Sequence, residues 1–334
     1  MTIGAGAELG YKGYVGIGEE TTYGTKVTSS SFIEFNSEGF KRSIEEKVID
    51  SINTTRNPMK RVQLGETIEG SLETYLDVAS DGLMKIIKQA MGGTVSSATV
   101  TSGCIGHIFN EGDMESNDSS VSAADVKSLT VQVRKGGSHQ FSFVGNRVNS
   151  LSIKGEIGNP IVISANFIGK AASITADTLT PVFSTVLPLL FHGVTINYSG
   201  TAEEFQSFEL TLNNNLVSDA RALGSKFISV LPPAQRDIDL KLGQRFDTTT
   251  AWTRWTGGEA NAVTILCESG VTVSGAGSTT YSMLINLPKC YTNLEPPAVG
   301  GKGVISQSLS LKPIFDSTSA FAMQIKVNNA TAGY

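Results

Sequence analysis

Cysteine, histidine and charge are all scarce in this chain of 334 residues. Its three cysteines, Cys104, Cys267 and Cys290, are far apart and form no CxxC pair. That excludes a disulfide framework and a cysteine-type zinc site, and it fits a reducing cytosol. His107, His139 and His192 are the only histidines, and none has an HxxxH or HExxH partner. A histidine-based metal site is therefore not expected, and each reads as an ordinary strand or loop residue. No GxSxG elbow is present. Gly4-Ala5-Gly6 and Gly16-Ile17-Gly18 match neither GxGxxG nor the phosphate-loop pattern, and they lack a strand-to-helix setting. Charged residues make up only 17%, with 26 Lys and Arg against 31 Asp and Glu, so basic groups are too sparse to grip nucleic-acid phosphates. The longest stretch free of Asp, Glu, Lys and Arg, residues 178–202, is interrupted by Pro181, Pro188 and His192. It reads as buried strand plus connection rather than a membrane span. Met1-Thr2-Ile3-Gly4 offers neither a basic nor an apolar leader region, so no signal peptide is expected.

What the chain does contain is glycine, serine and threonine, at 35, 37 and 32 residues. Such a composition suits short strands and turns better than long solvated helices. The length gives two domains as a prior.

Residues 1–31 are glycine-rich with few apolar anchors and read as an extended arm. Residues 32–46 read as a strand whose face switches around Gly39, the sign of a bulge or bend. A polar stretch follows at 50–65, with Arg56, Lys60 and Arg61, and is too long for a hairpin turn. Residues 67–77 alternate cleanly: Ile68, Gly70, Leu72, Thr74 and Leu76 against Glu69, Ser71, Glu73, Tyr75 and Asp77. This predicts a half-buried strand. Ser80 or Asp81 can cap the helix that follows, Leu83, Ile86, Ile87, Ala90 and Met91 recur at helical spacing, and Gly92-Gly93 ends it. Strands are then predicted at 99–109, 128–134, 139–143, 148–157 and 160–169, with Gly136-Gly137, Gly145-Asn146 and Gly158-Asn159 as turns.

The second half repeats this order. A strand at 203–213 is followed by a long polar connection, 214–234, containing Arg221 and Lys226. Then come a strand at 235–246, a short helix at 248–255, and strands at 261–267, 280–287, 303–314 and 321–327. The matching order and spacing suggest an internal duplication, although residue identity between the copies is slight. Asp237 and Asp239 form a DxD pair that could ligate a cation, but alternation puts both on the polar face of a strand, where a solvated or interface role fits better.

Several segments together resemble the tail tube (major tail) proteins of tailed bacteriophages, of the double-unit kind. They are Gly13-Tyr14-Val15-Gly16-Ile17-Gly18-Glu19-Glu20, Phe32-Ile33-Glu34-Phe35-Asn36-Ser37-Glu38, Glu69-Gly70-Ser71-Leu72-Glu73 with the helix after it, Asn149-Ser150-Leu151-Ser152-Ile153, Ile163-Ser164-Ala165-Asn166-Phe167 and Ile285-Asn286-Leu287-Pro288-Lys289. The resemblance implies a mainly β fold of two β-sandwich units, each with a short flanking α-helix, whose sheets join between copies into an inner β-barrel. The units would span 32–175 and 191–334, after an arm at 1–31 and with a linker at 176–190. Rings would be trimers with pseudo-sixfold symmetry, or hexamers if the duplication is false, and would stack into a tube in the virion, assembled in the bacterial cytoplasm. Implied partners are further copies, a tape measure protein and tail terminator and initiator proteins; no cofactor or metal is implied. DNA would pass through without specific binding. The long loops would reach the next ring through Arg56, Lys60, Arg61, Arg221 and Lys226. Glu69, Glu73, Asp77, Glu209, Asp237 and Asp239 would face the bore, where carboxylates repel phosphate. The competing reading makes these solvent-facing carboxylates on an outer sheet. Other functional readings are a tail initiator, terminator or baseplate part of the same fold, or a β-rich carbohydrate-binding adhesin or enzyme.

Overall fold

Alternation along residues 60–75 sets the frame: Ile68 and Leu72 are buried, and Glu69, Ser71 and Glu73 between them are exposed. The computed structural model describes residues 8–52, 54–92, 95–112, 128–137, 139–175, 179–294, 296–297, 299 and 301–334. Gly4, Gly6 and Gly93 lie outside them. The fold is mainly β, with two short helices and a large antiparallel sheet.

The first half contains β1 (Tyr14–Glu20), β2 (Ser31–Ile33), β3 (Ser37–Glu38), β4 (Lys41–Ile49), β5 (Lys60–Tyr75), α1 (Asp81–Met91), β6 (Val95–Thr101), β7 (Cys104–Asn110), β8 (Ser128–Lys135), β9 (His139–Glu156), β10 (Val162–Gly169) and β11 (Ala171–Thr175). The second half contains β12 (Val194–Tyr198), β13 (Thr201–Ala202), β14 (Ser207–Asn213), β15 (Asp237–Arg245), α2 (Thr250–Gly257), β16 (Asn261–Thr272), β17 (Thr280–Leu294), β18 (Ser306–Pro313) and β19 (Gln324–Asn329).

Strand neighbours in the first half run β4-β5-β10-β9. In the second they run β14-β15-β18-β17. Each set has its helix after its second strand. The sets meet where β9 pairs with β14, Lys154 opposite Glu209 and Ser152 opposite Thr211, so eight strands form one continuous surface. A further set runs β2-β1-β8-β9-β11 in the first half and β13-β12-β16-β17-β19 in the second. The long strands β9 and β17 thus serve both sets in their halves. The β6–β7 hairpin then adds to the edge of β19, carrying first-half chain onto second-half sheet.

One hydrophobic cluster joins the halves, from Val15, Ile17 and Val131 through Ile68, Phe167 and Leu151 to Leu210, Leu240 and Leu309. Phe40 bridges two strand sets, its ring 5.2 Å from Phe143 and 5.3 Å from Phe167. At about 25 cal/mol per Å² of apolar area, so many fully buried aliphatic and aromatic side chains dominate the favourable side of folding. The helix predicted from a cap at Ser80 or Asp81 forms as α1, with Ser80 at the N-cap position and Asp81 in the first turn, and ends at Gly92, whose φ of 66° is left-handed. Its last carbonyls are capped from the second half: Asn214 Nδ2 donates to Ala90 O at 3.0 Å and Arg236 Nη2 to Met91 O at 3.1 Å.

Four local expectations change. Residues 14–20, within the stretch read as an arm, form β1 with Val15 and Ile17 fully buried. Residues 50–65 are a hairpin after all, because β4 and β5 pair as far as Ile49 opposite Lys60 and leave only residues 50–59 as loop. The stretch 99–109 is two strands turning at Gly103, whose φ is 82°. Gly145-Asn146 is no turn: β9 runs through it, and Gly145 takes a φ of 69° inside the strand. A left-handed glycine there makes a bulge that sends β9 from one strand set to the other. The buried Glu20 carboxylate fixes it, accepting hydrogen bonds from Gly145 N, Gly24 N, Thr130 Oγ1 and Ser128 Oγ at 2.5–2.9 Å. Of the linker, residues 176–178 lie outside the described residues, 179–189 form no helix or strand, and Leu190 makes an isolated antiparallel bridge with Pro160; Leu189 is buried and bonds to Leu76 O and Ile161 N.

His107 seals the join between β7 and the chain's end. Its Nε2 lies 3.0 Å from Asn329 Oδ1 and 3.1 Å from Thr331 O, and its Nδ1 lies 2.8 Å from Ser97 Oγ. A carbonyl can only accept, so Nε2 carries the proton and Nδ1 accepts from the hydroxyl. Burial holds the imidazole below its usual pKa, against the raising effect of the Asn329 and Thr331 hydrogen bonds. The unfolded chain therefore takes up this proton first, and stability is lost as pH falls below about 6.5. Thermal melts between about pH 5 and pH 7.5 are expected to show this loss, and His107→Gln to flatten it.

Candidate assembly surfaces

Strand alternation buries one face of the eight-stranded surface and leaves the other polar. The buried face carries Ile163 and Phe167 from β10, Ile153 from β9, Phe208 and Leu212 from β14, Ile238 and Leu242 from β15 and Leu309 and Leu311 from β18. Five of the six acidic candidates share the opposite face. Register carries a row from Glu73 through Ser164, Ser152 and Thr211 to Asp239. A second row runs Lys154, Glu209, Lys241 and Ser310. Glu69 and Asp237 lie on the same face, four residues along from Glu73 and two from Asp239.

Asp77 is not with them. It sits past the end of β5, partly buried, and accepts from Ala79 N at 2.9 Å in the turn before α1. Burial pushes its carboxyl above the ordinary range, opposed by hydrogen bonds from Ser184 and Ala79.

The polar face is not a bare wall of carboxylates. Lys41 Nζ lies 2.8 Å from Glu69, Lys154 Nζ 2.8 Å from Glu209, and Lys312 Nζ 3.0 Å from Asp239 and 3.4 Å from Asp237. Among the described residues only Glu73, of the five, has no ion-pair partner. Each exposed pair contributes about 0–1 kcal/mol, so their effect is on surface charge more than on stability. The sequence reading missed these lysines, although the alternation that selected the carboxylates also places Lys154, Lys241 and Lys312 among them. The DxD pair is occupied by a lysine, and among the described residues no group of three His, Cys, Asp or Glu side chains could hold a metal ion.

Two edges of this surface are open. Among the described residues β4 pairs only with β5, and residues 291–294 of β17 pair only with β18. Unpaired backbone groups along an edge are templates for another strand. Next to the β4 edge the hairpin outruns its neighbours: β10 stops at Gly169, opposite Ile68, while β5 reaches back to Lys60. Arg56 and Lys60 are exposed there, and Arg61 Nη2 lies 2.8 Å from Glu46. Apolar side chains accompany them, with Ile52 fully exposed and Met59 67% exposed. Sequence reading weighed the basic residues of this loop and passed over its apolar ones.

Arg221 and Lys226 lie elsewhere, at the root of that hairpin. Arg221 Nη2 donates to Thr67 Oγ1 at 2.8 Å and to Glu66 O at 3.3 Å, and its Nη1 lies 3.6 Å from Glu45 Oε2. Lys226 Nζ lies 3.9 Å from Glu66, whose carboxylate is buried and held by Arg42 Nη2 at 2.7 Å.

The cysteine thiols are not primed as nucleophiles. All three cysteines are buried, and burial alone pushes the Cys267 and Cys290 thiols up to about 12. A thiol held that high is protonated and inert at neutral pH. No helix among the described residues is long and apolar enough to cross a membrane. A search of curated proteins returned no match. The sequence model of the phage tail tube protein family matches residues 10–313, which covers both halves and both open edges. The chain belongs to the phage tail tube protein family: a non-enzymatic structural component of the virion tail that self-assembles into a tube.

Proposed function

We propose that this chain is the repeating subunit of the tail tube, and that its eight-stranded surface becomes one arc of a closed inner barrel. The observation that carries this is a single sheet with one apolar buried face, one largely polar face and an open edge at each end. Joining β4 of one copy to the β17 end of the next would satisfy both edges and leave none. The internal β9–β14 seam supplies the pattern, since it joins the last strand of one four-strand set to the first strand of the next. We infer duplication from that repeated order. Three chains would then make a ring of six equivalent units, and six chains would be needed only if the halves were unrelated.

The polar face would line the bore. Phosphate dwells where cations are free to pair with it. Here carboxylates hold Lys41, Lys154 and Lys312, so DNA would meet mostly paired charges, with Glu73 as an uncompensated negative group and Lys241 as an uncompensated positive one among the described residues. The projecting hairpin, apolar at Ile52 and Met59 and basic at Arg56 and Lys60, would dock on the neighbouring ring. Tape measure, terminator and initiator proteins are the further partners this role requires.

Electron microscopy of the purified full chain tests the reading. Hollow tubes with threefold rings are expected; monomers that persist at high concentration would overturn it. Removing residues 51–58 and closing the hairpin with a short turn is expected to leave the melting temperature within a few degrees and to abolish stacking. Normal tubes from that variant would move the ring contact elsewhere. Glu69→Lys combined with Glu73→Lys frees Lys41 and adds two cations to the face. Tubes are expected to form, with DNA release from assembled particles slowed roughly tenfold; an unchanged release rate would place this face outside the bore.

A further inference from the structure

The loops at equivalent places in the two halves do opposite things. The β4–β5 connection projects outward. The β14–β15 connection, residues 214–234, folds back across the first half. Ile228 and Leu231 are fully buried beside Tyr23 and Ile168, and Arg147 Nη1 donates to Leu231 O at 3.0 Å. From that anchorage the loop reaches β5 where β10 has ended, and Glu66 N donates to Lys226 O at 3.0 Å. The loop thus takes over the second edge of β5 at the point where the hairpin leaves the body.

Arg221 completes the contact. Its guanidinium touches Thr67, the Glu66 carbonyl and Glu45, and so spans both strands of the hairpin. It lies against Gly65, where a Cβ would come within 2.7 Å of Nη1. The β4–β5 register shifts between Glu45 and Glu46 at this same level, so the strand pair bends here. A planar fork that bonds both sides of a bend fixes its angle in a way one flexible ammonium would not.

We propose that residues 214–234 are a latch that aims the β4–β5 hairpin, with Arg221 as its positioning residue, so that each chain presents one docking arm rather than two. Arg221 and Lys226 therefore act within the subunit and not between rings. The latch itself is read from the single chain; its consequence for stacking rests on the tube reading, under which a threefold ring carries three arms alternating with three latches.

The test is hydrogen exchange across residues 63–68 in the unassembled full chain, paired with the ring-to-ring twist of assembled tubes. Arg221→Ala is expected to keep the melting temperature within a few degrees, to speed exchange at Glu66 about tenfold, and to give shorter tubes of variable twist. Arg221→Lys, which keeps the charge but not the fork, is expected to fall between. Exchange and twist identical to the parent chain would overturn the latch. Should Arg221→Ala fail to fold, Thr67→Val removes only one acceptor, and exchange about threefold faster is expected; unchanged exchange in that variant overturns the latch equally. If the parent chain makes no tubes, the tube reading falls while the exchange data still decide the latch.

Discussion

A strand edge exposes backbone donors and acceptors that must find partners in water or in another strand. Most of this subunit can be understood from how it handles that demand. Inside the chain, β9 and β14 join one four-strand set to the other, and β7 covers β19. Outside it, β4 along its length and the last residues of β17 are left to solvent. A protein that worked alone would shield such edges with short strands, proline or covering loops. Here the longer edge is continued into a projecting hairpin, and the loop that could have covered it holds its root instead.

Elements whose signal is local were legible in the sequence. The alternation of Ile68, Leu72, Glu69 and Glu73 placed β5 and its two faces, and the Leu83, Ile86, Ile87 and Ala90 spacing with Gly92 behind it placed α1. The misreadings arise where distant residues decide. Gly145-Asn146 has the composition of a hairpin turn, and it becomes a bulge because Glu20, far away in sequence, holds the Gly145 amide. Residues 60–65 look like loop because their side chains are mostly polar and exposed, yet their backbone pairs as strand; exposure on both faces erases the period-2 pattern. Of the proposed site residues, five of the six carboxylates lie on the polar faces that alternation gave them, and Asp77 does not, because β5 ends at Tyr75. Arg221 could not be assigned, since nothing near it in sequence indicates that its partners are Glu45, Glu66 and Thr67.

Charge on the polar face follows the same lesson. Counting acidic residues along single strands suggested repulsion as the means of keeping a polyanion moving. Cross-strand neighbours change that picture, because Lys41, Lys154 and Lys312 lie beside the carboxylates. Under the proposed tube reading, mutual neutralisation would give low affinity by a different route, since cations engaged across the sheet have less to offer a passing phosphate. It would also spare neighbouring subunits the repulsion that a uniformly acidic bore would impose on their association.

The hairpin that β6 and β7 lend to β19 bears on the order of events during synthesis. His107 meets Asn329 across 222 residues, so its pocket cannot close until Asn329 has left the ribosome. A nascent chain would hold that ribbon unpartnered while the intervening residues are made, a slow, long-range step of the kind that makes high-contact-order folds vulnerable. A polypeptide that stopped before Gln324 would lack the strand that covers this ribbon and would expose one more open edge.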